Sequence, residues 1–159
     1  MKNDGEVVPE QTDKGWRRSV YVLQRRRTPV TMLETFDLPP MSPNCIERPE
    51  STVPTQALQL MNNATLMEHA RYLAGRVLDA VPRDTPRQID ELYRHVLTRP
   101  ATAEETERVR AALPQLSKQW LGHLDHKRDA APRSGKAEWM ALADAAHTLL
   151  NSAEFLYVD

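Results

Sequence analysis

Apolar residues recur at helical spacing through most of the chain after residue 60. The first set recurs at intervals of four, three and four residues, which places its members on one face of an α-helix. This set is Leu66, Ala70, Leu73 and Val77. Three later sets are Ile89, Leu92, Tyr93 and Val96; Val109, Leu113, Leu116, Trp120 and Leu124; and Trp139, Leu142, Ala146 and Leu149. The pattern therefore predicts four amphipathic helices.

Prolines and polar residues predict where helices begin and end. Pro54 favours a first helical turn, so we predict a further short helix from about residue 54 to Met61, broken or capped by Asn62 and Asn63. The helix that carries Ile89, Leu92, Tyr93 and Val96 is predicted to begin at Thr85-Pro86. A polar linker is predicted over residues 125–136, and the last helix is predicted to end near Asn151.

The longest predicted helix carries two signals. Thr102 and Glu105 have the spacing of a capping box, in which each side chain accepts a hydrogen bond from the other residue's backbone amide. Pro114 lies inside this helix and cannot donate to the carbonyl of Arg110. We therefore expect a kink at Pro114.

The two ends of the chain show a different pattern. Residues 1–15 are polar and predict a flexible lead-in, whereas residues 20–23 are apolar on both faces and predict a covered strand. Residues 155–158 could form a second short strand that pairs with the first. Residues 32–37 are compatible with one helical turn, and the four prolines of residues 38–53 predict a long loop.

The predicted fold class is mainly α. We expect about five helices in an irregular bundle, with one or two short strands near the N- and C-termini. The length of 159 residues fits one domain, which we place at residues 16–159. A chain of this size can bury a core without a metal or a disulfide.

Composition narrows the function only slightly. The hydrophobic fraction of 40% and the formal net charge of -1 are ordinary for a globular protein and give no overall attraction to nucleic acid. Cys45 is the single cysteine, which excludes an intrachain disulfide and a Cys-x-x-Cys-His haem attachment. No apolar run is long enough to span a bilayer, and no secretion signal follows Met1.

Five blocks in order carry a resemblance to a known family. They are RRSVY at 17–21, MLETFD at 32–37, RPESTVPTQALQLMN at 48–62, LYRHVLTRP at 92–100 and LLNSAEFLYVD at 149–159. This set, spread over residues 16–159, closely resembles the C-terminal part of a planctomycete-specific domain of unknown function. That domain is found at the C-terminal end of large proteins with cytochrome-c-like domains.

The resemblance implies that the chain is the C-terminal half of a larger family domain, in an exported or periplasmic parent protein. It implies haem only in other domains of that parent, so no cofactor is assigned to this chain. It supplies no catalytic residue and no metal ligand. The partners it implies are other domains of the parent or a separate protein.

Basic residues cluster ahead of the proline-rich loop. No acidic residue lies between Asp13 and Glu34, and this segment could bind phosphate or a nucleic-acid backbone. Its basic members are Lys14, Arg17, Arg18, Arg25, Arg26 and Arg27. The alternative is internal pairing, since residues 1–53 hold eight basic and eight acidic side chains. Internal pairing is favoured and nucleic-acid binding is not.

Amides and carboxylates near the proline-rich loop are further candidates. Gln56 and Asn62 could donate hydrogen bonds to a sugar or peptide, or could simply cap helices and satisfy loop carbonyls. Glu34 and Asp37 could act as an acid–base pair, or could pair with the arginines. His123 and His126 share a helix face, for which a solvated surface is favoured over a metal site.

Three functions remain open at this point. The favoured one is a non-catalytic helical module that packs against another part of a larger exported protein. The second is part of an enzyme acting on polysaccharide or a related polymer, with Glu34, Asp37 and Gln56 at its site. The third is phosphate or nucleic-acid binding through the block from Arg17 to Arg27.

Overall fold

The computed structural model describes Tyr21, Leu33, Thr35, Phe36 and residues 54–125 and 133–156. These residues form six α-helices and contain no strand, which confirms the mainly helical class. The helices are α1 Pro54–Asn62, α2 Ala64–Ala80, α3 Thr85–Leu97, α4 Ala103–Asp125, α5 Arg133–Leu150 and α6 Ala153–Leu156. The chain divides into two compact units, Met1–Gln59 and Leu60–Asp159, and helices α2 to α6 belong to the second.

Side-chain caps begin four of the described helices, α2, α3, α4 and α6. The Asn63 Oδ1 atom accepts a hydrogen bond from the Leu66 amide at 3.1 Å and so begins α2. Asp84 caps α3 in the same way through the Arg87 amide at 3.2 Å. These bonds satisfy amides that the first helical turn leaves without partners.

The predicted capping box at the start of α4 is confirmed. The Glu105 amide donates to Thr102 Oγ1 at 3.2 Å, and the Thr102 amide donates to Glu105 Oε2 at 2.8 Å. From this start α4 runs without a break through Pro114 to Asp125.

Helix α5 is the centre of the second unit. It makes its most extensive contacts with α2 and α4, and α3 packs across α2, α4 and α5. Buried apolar side chains from α2, α3 and α5 form one core. Its members are Ala70, Ala74, Val77, Ile89, Leu92, Tyr93, Val96, Leu142, Ala143, Ala146 and Leu149. The predicted apolar faces of α3 and α5 thus form the core, except that Trp139 is only partly buried.

Two tryptophans connect α5 to its neighbours through polar contacts. The Trp139 indole N–H donates to the Arg71 carbonyl on α2 at 2.8 Å. The Trp120 indole N–H, on α4, donates to Asp144 Oδ2 on α5 at 2.6 Å. Each ring is partly buried, and its single polar atom has a partner.

The structure corrects the sequence-based bounds at the C-terminal end. Residues 133–136, predicted to be linker, form the first turn of α5. Their polar composition is typical of a linker as well as of a first helical turn, so composition alone misplaced this boundary. Phe155 and Leu156, predicted to be in a strand, lie in α6. Here the amide of Phe155 donates to the Ser152 hydroxyl, a local bond that favours a helical turn.

The N-terminal predictions fall mostly outside the described residues. Tyr21, from the predicted strand at 20–23, lies in a 3₁₀ turn, and the other three residues are not described. Leu33 and Thr35 are helical and Phe36 is in a turn, consistent with the short helical turn predicted there. The lead-in at residues 1–15 and the proline-rich loop at 38–53 also lie outside the described residues.

Candidate functional site

An arginine between α3 and α4 holds three helices together. Arg99 forms two hydrogen bonds to Glu105 on α4, Nη1 to Oε2 at 2.9 Å and Nη2 to Oε1 at 2.8 Å. It forms two more to Glu154 on α6, Nε to Oε1 at 2.6 Å and Nη2 to Oε2 at 2.8 Å. The guanidinium carbon also lies 5.5 Å from the centre of the Tyr93 ring on α3.

The electrostatics of this cluster follow from the paired charges. The hydrogen bonds from Arg99, assisted by the one from the Thr102 amide, lower the pKa of Glu105 to about 2. Arg99 likewise lowers the pKa of Glu154. Burial, followed by the charge of Glu105, raises the pKa of Tyr93.

A second contact fixes the loop that precedes α4. Asp90 on α3 accepts the Ala101 amide at 3.0 Å and pairs with Arg94 at 2.8 Å.

The guanidinium of Arg99 is planar and carries five N–H groups. The carboxylates of Glu105 and Glu154 bind these groups from two different helices. We interpret the cluster as structural, because both carboxylates are engaged by the arginine.

The predicted amide candidates have structural partners. The Gln56 side-chain amide donates to the carbonyl of Thr35, a helical residue, at 3.0 Å within the first unit. Gln56 is 7% exposed. Asn62 is the last residue of α1, and the capping bond is made by its neighbour Asn63. The capping role foreseen for this pair is thus confirmed for Asn63.

Most of the remaining sequence candidates lie outside the described residues. Five of the predicted ligand-binding residues lie outside the described residues: Arg17, Arg18, Arg25, Glu34 and Asp37. His126 is also outside them, while the His123 ring lies edge-on to Trp120 at 6.0 Å between centroids. Within the described part of the chain, no three His, Cys, Asp or Glu side chains converge in a way that could hold a metal ion.

A groove in the second unit is the candidate site that sequence analysis missed. It has a volume of about 920 Å³ and lies between the α2–α3 turn, the middle of α4 and the start of α5. Buried Leu142 and partly buried Leu78 and Leu113 contribute its apolar lining. Arg83 and Glu138 contribute charge. Pro114, which also lines it, was the sequence signal closest to this site.

Several large apolar side chains are exposed outside this groove. On α1 and α2, Met61 is 55% exposed, Met67 37% and Tyr72 52%. On α4, the predicted apolar face from Val109 to Trp120 is only partly buried. These helices therefore cover less of their apolar surface than α3 and α5 do. None of the helices described is long and apolar enough to cross a membrane.

Comparison with known proteins gives a family but no function. Residues 2–113 match the family PSD1, described as "Protein of unknown function (DUF1553)". The matched span includes the first four blocks singled out in the sequence and the cluster residues Tyr93, Arg99 and Glu105. No match was found among curated proteins or among solved structures. Because the match covers well over half of its length, the chain belongs to the PSD1 family of proteins of unknown function (DUF1553).

Proposed function

We propose that this chain is a non-catalytic helical module that packs against another part of a larger protein. The observation that supports this most directly is the exposure of Met61, Met67 and Tyr72 on α1 and α2. Large apolar side chains on neighbouring helices are a common feature of surfaces that another protein segment covers.

The methionines suit such a surface for a physical reason. Met has an unbranched, polarizable side chain that adapts to irregular partners, and tyrosine adds an aromatic face with a polar tip. Burial of such side chains contributes about 25 cal/mol for each Å² of apolar surface removed from water, before the entropy lost on association is subtracted. An interface at these positions would therefore be driven mainly by apolar burial.

The charged side chains of the second unit support a structural role. Arg99 pairs with both Glu105 and Glu154, and Arg94 pairs with Asp90. Arg108 and Arg110 pair with Glu104 and Glu107 along α4. These ion pairs join side chains of the chain itself, so we interpret their role as the stabilisation of helices and helix junctions.

The family resemblance gives this proposal a wider setting. We propose that the parent is an exported planctomycete protein that carries cytochrome-c-like domains elsewhere in its sequence. In that setting haem belongs to the other domains, and this chain contributes a packing surface to one of them. What supports this step is the order of the five sequence blocks.

The test compares the chain with a variant of the exposed methionines. We expect the wild-type chain to self-associate as its concentration rises and to increase the fluorescence of an apolar dye. The double variant Met61→Lys with Met67→Lys should stay monomeric and bind less dye, because both side chains are exposed and only the surface changes. Light scattering coupled to gel filtration measures the mass.

Phe155→Lys is the matched control, since Phe155 is 40% exposed but lies on α6. It should associate as the wild type does. In the full reading frame, the double variant should weaken protection of α1 and α2 from hydrogen exchange. A wild-type chain that is monomeric at all concentrations and binds no dye would show the proposal to be wrong.

A further inference from the structure

The groove beside Pro114 has the size and lining of a ligand site. Its volume of about 920 Å³ lies in the range of roughly 300–1,000 Å³ that is usual for small-ligand pockets. Leu78, Leu113 and Leu142 give it apolar walls from three different helices. The groove shares none of its lining residues with the exposed set Met61, Met67 and Tyr72.

Two opposite charges at the groove have no partner among the described residues. Arg83 in the α2–α3 turn and Glu138 on α5 are both exposed, and neither forms an ion pair or a side-chain hydrogen bond there. Arg110 differs, because its guanidinium is held by Glu107 at 2.9 and 3.0 Å. The groove therefore offers the unpaired cation of Arg83 and the unpaired anion of Glu138 to an incoming molecule, whereas Asp84, which also lines it, already accepts the Arg87 amide.

Pro114 changes the backbone hydrogen bonding of α4 beside the groove. Proline has no N–H, so the carbonyl of Arg110, four residues earlier in α4, lacks its usual helical donor. Arg110 and Pro114 both line the groove. A ligand with an amide N–H can supply the missing hydrogen bond, and a peptide main chain carries such groups at every residue except proline.

The backbone conformation of Arg83 also supports a ligand site at the groove. Its φ of 63° lies in the left-handed region, which is unfavourable for a residue with a Cβ and suits glycine or asparagine better. An arginine there is not explained by local backbone preference. Binding of an anionic group at the groove by its unpaired guanidinium would explain why an arginine occupies this position.

We propose that this groove binds a short peptide segment of a partner protein. The segment is apolar in its middle, which contacts the leucines, and it carries an acidic residue for Arg83 and a basic residue for Glu138. Its main-chain amide donates to the Arg110 carbonyl. This site is separate from the proposed packing surface, and each can be tested without the other.

The experiment uses the full 159-residue chain, labelled with ¹⁵N, and defined tetrapeptides. The probes are Ac-Asp-Leu-Leu-Lys-NH2 and the reversed order Ac-Lys-Leu-Leu-Asp-NH2, with the neutral Ac-Asn-Leu-Leu-Gln-NH2 for comparison. We expect one charged order to cause saturable amide shifts around Arg83, Pro114 and Glu138. The neutral peptide should bind about threefold more weakly or worse, since it lacks both charges that pair with Arg83 and Glu138.

Variants of the two charges test the contacts directly. Arg83→Asn keeps a residue that tolerates the left-handed backbone, and Glu138→Gln keeps the side-chain length. Each should weaken binding of the charged peptide about threefold and leave binding of the neutral peptide unchanged. Arg87→Gln is the matched control, because Arg87 is exposed and close in sequence but does not line the groove.

Three results would overturn the proposal. The first is the absence of saturable shifts with either charged peptide. The second is equal binding of the charged and neutral peptides by the wild-type chain. The third is a set of shifts centred on Met61, Met67 and Tyr72, which would assign the peptides to the packing surface.

Discussion

At the scale of single residues, the junction between α3 and α4 shows how local strain and charge pairing coexist. Thr98 ends α3 with a φ of 60°, a left-handed conformation that is unfavourable for a β-branched residue. The next residue, Arg99, binds Glu105 and Glu154 through four hydrogen bonds. The strained backbone at Thr98 immediately precedes the arginine that joins three helices.

Thr98→Gly should stabilise the chain. Glycine adopts the left-handed region without the penalty of a Cβ, so we expect the free energy of unfolding to rise by about 1 kcal/mol. Thr98 is exposed, so little packing is lost. Urea unfolding followed by circular dichroism measures the change. Thr106→Gly, inside α4, should instead lower stability by about 1 kcal/mol, and the same sign for both variants would contradict this explanation.

From the Arg99–Glu105 pair at the same junction we predict that the free energy of unfolding depends on pH. The pKa of Glu105 falls from its ordinary 4.5 to about 2 in the folded chain, so the folded state favours the ionised form. This contribution to stability is fully present above about pH 4.5 and is lost as the pH falls toward about 2. Urea unfolding at several pH values should show the loss.

Glu105→Gln isolates this contribution. The variant should be less stable than the wild type near neutral pH, and the difference should shrink between about pH 4.5 and 2, where the wild type itself becomes protonated. Glu104→Gln, at a side chain that is 83% exposed, is the control and should follow the wild type. A constant difference between Glu105→Gln and the wild type over this range would refute the assignment.

At the scale of elements, short polar signals define the helix starts well. The capping box at Thr102 and Glu105 could be predicted from spacing alone, because both hydrogen bonds join residues that are three positions apart. The start of α5 was not readable, since its first turn is polar and no capping pattern marks it. The strand predicted at residues 155–158 was wrong at Phe155 and Leu156, which form part of α6.

The cap between α1 and α2 gives a test at this scale. Asn63→Ala removes the acceptor for the Leu66 amide and should lower the free energy of unfolding by about 1 kcal/mol. Asn63→Ser retains a capping oxygen and should recover most of that loss. Chemical unfolding of the three proteins measures the differences. Equal destabilisation by the two substitutions would mean that the cap is not the cause.

At the scale of the whole molecule, α5 and α3 are the elements on which the core depends. Ile89 on α3 is fully buried in a core that α2 and α5 complete, whereas Leu116 on α4 is only partly buried. Sequence periodicity assigned both residues to apolar faces. It did not distinguish the two depths, because burial depends on how many neighbours a helix face meets.

A graded substitution at Ile89 tests this centre. Ile89→Val should lower the free energy of unfolding by about 1 kcal/mol and Ile89→Ala by about 2–5 kcal/mol, since the change to alanine removes more buried volume than the change to valine. Leu116→Ala should cost clearly less than Ile89→Ala because its side chain keeps contact with solvent. Differential scanning calorimetry or urea unfolding ranks the variants, and a cost at Leu116 equal to that at Ile89 would contradict the assignment of the core.

The sequence by itself determined the helical class, the apolar faces of α3 and α5 and the capping residues Asn63, Thr102 and Glu105. These features arise from periodicity and from contacts within a few residues, so they need no knowledge of the fold. The ordered blocks also indicated a domain of unknown function, which the match over residues 2–113 supports.

Only the tertiary structure decided which side chains meet across long separations. Arg99 and Glu154 are 55 positions apart, and Trp139 reaches the carbonyl of Arg71 over 68 positions. The groove likewise combines Arg83, Pro114 and Glu138 from three separate segments. No local sequence pattern predicts these long-range contacts, because they depend on how the helices pack around α5.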